Sequence, residues 1–320
     1  MFITFIVLLV LAEVALRVIT SFAIIYDIEM IKYAHHLKKP SSIPGLSHQH
    51  IPNSKAHLMG HDVTLNSLGH RSPELVNPKS NQEKRIHFIG DSCTMGWGVP
   101  QNGTTSAVTR DLLNQTIGAK TGKHFVDINA GVGNYNAVFT SKLFEQQVNQ
   151  VSPDLVVFKF YINDAEPDPQ KWDNFIFRHS VLAAFMYLKY RSIWVIRNET
   201  LPEYYAKTFR PGTETRTQAN LALQNIKKIC DLRGMPMVGL LVPEMHDLSK
   251  EGPYPPIYAI ITQMFSDLGI PLINPLDELR ATFGDRSTKP WVAEDDPHPS
   301  AEAHAVMARK LSHYLATLPW

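Results

Sequence analysis

The chain has 320 residues, 44% hydrophobic and 19% charged, so it can bury a core and falls outside the disordered class. A formal net charge of +1, with no long run of Lys or Arg, excludes the clustered basic footprint of a nucleic-acid binder. Two cysteines, Cys93 and Cys230, exclude a disulfide-stapled scaffold.

Residues 1–26 are almost wholly apolar, interrupted by Glu13 and Arg17. Four residues apart, these two share a helix face and can pair, which lowers the cost of immersing them. A helix of about 25 residues reaches roughly 37 Å, enough to cross a bilayer. An uncleaved membrane anchor is the leading expectation, ahead of a buried helix or a cleaved signal peptide. No basic segment precedes the apolar run, and Ser21-Phe22-Ala23 is a poor cleavage site. The side of the membrane stays open here: Lys32, Lys38 and Lys39 follow the run, and positive charge there favours a cytoplasmic remainder.

Residues 27–39 read as a helix at the membrane surface. Residues 40–80, rich in Pro, Ser, Asn and His, read as a connecting segment with little regular structure beyond a short strand at 63–65. His48, His50, His57, His61 and Asp62 have spacings that could ligate a metal. Without a nearby cysteine they are expected to be solvated or hydrogen-bonded instead, and no metal is assigned.

From Arg85 onward strands and helices alternate. Strands are expected at 85–90, 125–129, 154–161, 236–242 and 270–273. Helices are expected at 104–117, 137–150, 215–232, 257–268 and 299–318. Short apolar strands separated by helices imply an α/β fold, a parallel sheet covered by helices on both faces. Ligands bind such sheets at the carboxyl ends of the strands. Between residues 165 and 212 lies more chain than one crossover needs. Its aromatic, amphipathic part at 172–197 is expected to be an extra packed helix, with a lid or a membrane-surface helix as alternatives. The division is therefore an anchor at 1–26, a juxtamembrane helix and connector at 27–84, and an α/β domain at 85–320 with an insertion at 165–212.

The strand at 85–90 runs into Gly90-Asp91-Ser92. A serine at a strand-to-turn junction is presented to a cleft as a nucleophile requires, although the same tripeptide also makes ordinary turns. The next strand ends in Asn129-Ala130-Gly131-Val132-Gly133-Asn134 and the third in Asn163-Asp164. Backbone N–H groups of Ser92 and of the glycine loop, with the Asn163 amide, are candidate oxyanion donors. Near the C-terminus stands Asp295-Asp296-Pro297-His298-Pro299. With Pro299 in a first helical turn, His298 would sit at the helix entrance, and a tight turn would bring the Asp295 carboxylate to its ring. Asp296 is the substitute, but its neighbouring position is expected to point it elsewhere.

These four blocks together resemble the SGNH (GDSL-type) hydrolase family over residues 85–320. The resemblance implies a flavodoxin-like three-layer fold, Ser92 as nucleophile, His298 as base and Asp295 as its orienting acid. It also implies an oxyanion hole from Ser92, Gly133 or Asn134, and Asn163. Two departures stand out: Asn134 occupies the family's glycine position, and Tyr161-Ile162-Asn163-Asp164 lacks the glycine of Gly-x-Asn-Asp. The apolar N-terminus resembles membrane-tethered bacterial members, which implies an extracytoplasmic catalytic domain. A serine esterase acting on acyl or O-acetyl esters, with an acetylated envelope glycan as a candidate substrate and no cofactor, is the expected function. An O-acyltransferase and a non-catalytic glycan-assembly protein on the same fold are the alternatives.

Overall fold

The structure, a computed structural model, describes residues 2–168, 176, 179–196, 199–284 and 289–320. Strands β5 (Glu83–Gly90), β6 (His124–Asn129), β7 (Leu155–Phe160), β8 (Met237–Leu241) and β9 (Leu272–Ile273) form one parallel sheet in the order β6-β5-β7-β8-β9. Every residue of β7 and β8 is buried. Strands covered on both faces carry no polar alternation, which is why these read as apolar runs, broken in β7 only by Lys159. Phe158 and Phe160 are fully buried, and removal of such side chains from water stabilises by ~1.5–3 kcal/mol each.

Helices Ala137–Val151 and Glu214–Leu232 pack together, as do Thr105–Leu113 and Ala301–Leu315, so helices flank the sheet in the three-layer arrangement expected. The register aligns the strand ends. Phe88 pairs with Asn129 and Gly90 with Lys159, so the loops that leave β5, β6 and β7 emerge at one edge.

The connector is more ordered than its composition suggests. Short strands β1 (Lys38–Pro40) and β2 (His48–His50) form one antiparallel pair, and β3 (Lys55–Leu58) and β4 (His61–Thr64) another. Leu58, Met59, Val63 and Leu65 are buried with Tyr33, Leu37, Met95 and Trp97 in a second apolar cluster. The connector is thus packed onto the sheet edge that carries Gly90-Asp91-Ser92. Arg71 fixes it there, its guanidinium donating to the carbonyls of Met95, Gly96 and Val99 at 3.1, 2.6 and 2.7 Å.

The C-terminal helix starts later than predicted. Ser300 is its N-cap, accepting from Ala303 N, and the helix runs Ala301–Leu315. Pro299 instead ends β11 (Asp296–Pro299), which pairs antiparallel with β10 (Trp291–Ala293).

Helix α1 (Phe2–Phe22) is a candidate membrane span with mean hydropathy 2.6. Its large apolar side chains are exposed, Phe2, Leu8 and Phe22 among them. Helix α2 (Tyr26–Leu37) follows it and lies against β3. The predicted helix in the 165–212 insertion is present as Val181–Ile196, packed on α1 and α2. Trp172, Phe175, Phe177, Arg178 and Arg197 of that aromatic stretch lie outside the described residues.

Candidate active site

The chain turns sharply at Gly90, whose φ is +144°. A Cβ there would lie 2.3 Å from Thr94 Oγ1 and 2.7 Å from the Lys159 carbonyl, so only glycine fits. Asp91 then caps a single helical turn, α3 (Ser92–Met95), its carboxylate accepting from Cys93 N at 2.9 Å. Ser92 is the first residue of that turn and is 7% exposed. Gly131 lets the next loop close on this turn, since a Cβ would fall 2.2 Å from Met95 N.

Two buried cations hold the carbonyl end of the same turn. Arg71 takes Met95 O and Gly96 O, and Lys159 Nζ donates to Cys93 O at 2.8 Å and to Thr105 Oγ1 at 3.1 Å. Burial lowers the Lys159 ammonium to about 8. Lys159 escaped the sequence reading, although a lysine inside Leu-Val-Val-Phe-Lys-Phe is a visible departure from an apolar strand.

Ser92 and His298 are brought together across the sheet edge, with Ser92 Oγ 2.7 Å from His298 Nε2. The acid on the other ring nitrogen is Asp296, not the expected Asp295. Asp296 Oδ1 lies 2.5 Å from His298 Nδ1, and Asp296 is fully buried while Asp295 is exposed. The reason is backbone conformation. Residues 296–299 are a strand rather than a tight turn, and residues two apart on a strand point to the same face. Trp97 Nε1 donates to Asp296 Oδ2 at 2.8 Å and His298 N to Oδ1 at 3.1 Å, so both carboxylate oxygens are engaged. A carboxylate only accepts, so Nδ1 carries the proton and Nε2 offers its lone pair to the Ser92 hydroxyl.

Helix α2 covers this pair. The Tyr26 ring centroid lies 6.3 Å from that of His298 and 6.2 Å from that of Trp97. Burial, reinforced by the Asp296 charge, raises the Tyr26 hydroxyl well above the usual phenol range, so it stays protonated.

The oxyanion candidates separate. Gly133 N donates to Tyr33 Oη at 2.8 Å, so that amide is already committed. The Tyr33 hydroxyl bonds His50 Nε2 at 2.7 Å, and His50 Nδ1 bonds Gly69 O at 2.8 Å. Gly69 O accepts, so Nδ1 carries the proton; burial lowers His50 to about 3, which keeps the ring neutral, and its Nε2 accepts a hydrogen bond from the Tyr33 hydroxyl. Asn134 has φ +66°, the left-handed backbone that suits the family's glycine, and its side chain accepts from Lys38 Nζ at 2.8 Å. Asn163 lies on a turn, Ile162–Ala165, directly after β7, and its side chain neighbours Asp91. Asp91 itself is raised by burial, opposed first by the charge of His298. Tyr161, at the lost glycine, donates its hydroxyl to buried Glu244.

Of the connector histidines singled out above, His48, His50 and His57 are engaged with protein groups. His48 Nε2 bonds Gly133 O at 3.0 Å, and exposed His57 pairs with Asp62 at 2.7 Å. Among the described residues no group of three or more His, Cys, Asp or Glu side chains is placed to hold a metal ion.

No family model and no curated protein matches the chain. Solved structures do. An acetyl xylan esterase is 16% identical with a TM-score of 0.46, covering 73% of this chain and 100% of its own. An acetyl-xylooligosaccharide esterase from Geobacillus is 14% identical with a TM-score of 0.48, covering 74% of this chain and 95% of its own. A psychrotrophic esterase from Pseudoalteromonas is 13% identical with a TM-score of 0.43, covering 73% and 97%. These likenesses are remote, and the chemistry assigned below rests on the placement of Ser92, His298 and Asp296.

Proposed function

We propose that the protein is a membrane-anchored serine esterase of the SGNH type. The observation that carries this reading is the continuous line Asp296 Oδ1, His298 Nδ1, His298 Nε2, Ser92 Oγ, with separations of 2.5 and 2.7 Å at its two hydrogen bonds. In this reading Ser92 Oγ attacks the ester carbonyl while His298 Nε2 takes the hydroxyl proton. The Ser92 N–H, the Asn134 N–H and the Asn163 amide stabilise the oxyanion. As the alcohol leaves it takes the proton back from His298, and the acyl group remains on Ser92. Water then attacks, His298 accepts its proton, and the carboxylic acid departs as Ser92 regains its hydrogen. Asp296 fixes the imidazole tautomer and stabilises the imidazolium throughout. The Tyr26 ring of α2, 6.3 Å from that of His298, favours a short acyl group.

The anchor reading is supported by α1 itself, whose exposed surface is apolar apart from Thr4, Arg17 and Ser21. Its Glu13 and Arg17 are bonded to residues 179–182 of the insertion, which argues against removal of α1 as a leader. Carbonate extraction should leave the full chain in the membrane pellet; recovery in the soluble fraction contradicts the anchor. An extracytoplasmic catalytic domain follows from the family resemblance alone, and protease protection in sealed vesicles tests it.

Turnover of p-nitrophenyl acetate by the detergent-solubilised full chain, compared with Ser92→Ala, tests the enzyme reading. Loss in the variant supports it and equal rates overturn it. Acetylated xylan and mannan oligosaccharides, with and without a sugar acceptor, separate hydrolysis from acyl transfer through the same acyl-Ser92.

A further inference from the structure

The insertion helix Val181–Ile196 begins against the middle of α1 rather than at either end. The Glu13 carboxylate accepts from Ser180 Oγ at 2.9 Å, Val181 N at 3.0 Å and Leu182 N at 2.8 Å. It therefore caps the first turn of a helix distant in sequence. Arg17 completes the junction, donating to Glu13 Oε1 at 2.7 Å and to His179 O at 3.0 Å. The two charges that interrupt the apolar run of α1 are both spent on docking this helix.

The far end of the contact lies beyond α1. Lys189 pairs with Asp27 in the first turn of α2, 2.6 Å away. From Glu13 to Phe22 an α-helix rises ~14 Å, and from Val181 to Lys189 ~12 Å. Both lengths match half of a hydrocarbon core about 30 Å thick. One face of the insertion helix, Val181, Ala184, Phe185 and Leu188, packs on Leu16, Ile25, Ile28 and Ile31. The other face is apolar as well. Met186 and Tyr190 are 60% and 59% exposed, with tyrosines at 187 and 190 beside Lys189. Apolar residues at depth, with tyrosine and lysine at the level of the water, form the pattern of a membrane-inserted segment. Backbone N–H groups at a helix start are costly in hydrocarbon, and the Glu13 carboxylate satisfies two of them there.

We propose that the first turns of the Val181–Ile196 helix are immersed in the bilayer beside α1. It is a re-entrant element that enters to the depth of Glu13 and returns to the surface at Lys189. This rests on the reading of α1 as a membrane anchor. The occupant of the outward face is lipid acyl chain. The same two-helix wedge sets Tyr26, and with it His298, at the bilayer surface.

The test uses the full chain in phosphatidylcholine–phosphatidylglycerol vesicles, carrying an NBD fluorophore at Met186→Cys, Ile6→Cys or Leu232→Cys in separate preparations. Both native cysteines are buried, which protects them from labelling. Met186→Cys should show blue-shifted emission and lose fluorescence to lipids spin-labelled on the acyl chain, but not to aqueous iodide. Leu232→Cys, on an exposed helix end of the catalytic domain, should show the reverse. If Ile6→Cys is quenched from the lipid while Met186→Cys follows iodide, the re-entrant helix is wrong and the anchor stands. If Ile6→Cys also follows iodide, the anchor and the re-entrant helix both fail.

Discussion

Asp296 holds the Nδ1 side of His298 at 2.5 Å from within a strand, while Asp295 next to it faces solvent. Replacing the carboxylate that fixes a catalytic imidazole removes about 10⁴ in kcat in serine hydrolases. Asp296→Asn should therefore lower kcat on p-nitrophenyl acetate by about 10³–10⁴-fold. Asp295→Asn should leave it unchanged, and the reverse order of effects returns the role to Asp295.

Trp97 reaches the same carboxylate through Nε1, with its ring fully buried. Trp97→Phe keeps the ring but leaves Asp296 Oδ2 without that donor. A hydrogen bond to a charged group is worth about 1.5–3 kcal/mol, so kcat should fall roughly 10- to 100-fold. KM should change little, because Trp97 acts through Asp296. A change confined to KM would instead place Trp97 against substrate.

Close packing around the nucleophile's turn makes Gly131→Ala a severe change. Its Cβ would lie 2.2 Å from Met95 N, and overpacking of that kind costs about 3 kcal/mol or more. Gly122→Ala is the comparison, since φ is +70° there but nothing lies within 4 Å. It should cost only about 1–2 kcal/mol, the left-handed penalty alone. Urea midpoints of the two variants distinguish a packed turn from a merely left-handed one.

Lys159 gives a pH signature. Its pKa falls from 10.5 to about 8 on burial, so between those values the unfolded chain binds more proton than the folded one. Its burial penalty is fully present below about pH 8 and is relieved as the pH rises to 10.5. Wild type should gain stability relative to Lys159→Met across that window, by on the order of 3 kcal/mol. A pH-independent difference in urea stability between the two would show that Lys159 does not titrate in that range.

The sheet was legible because buried parallel strands leave nearly continuous apolar runs, and three of the four motif loops because they end those strands. The carboxylate beside His298 was misread through local geometry, and the correction was available. Asp296 and His298 each precede a proline, and a residue before proline favours extended backbone. Two extended residues two apart share a face, which points to Asp296. The roles of Tyr26, Tyr33, Trp97 and Arg71 depend on contacts between distant segments, and no spacing announces them. The commitment of Gly133 N–H to Tyr33 is of that kind, and it is why Asn134 is the proposed oxyanion donor of that loop.

The central claim is that Ser92 is a nucleophile activated by His298. The full chain should be treated with a fluorophosphonate and the modified peptide identified by mass spectrometry. A single phosphonyl adduct on Ser92, absent in Ser92→Ala and strongly slowed in His298→Ala, is the predicted result. Failure of the wild type to react, or an adduct that persists in Ser92→Ala, would contradict the claim.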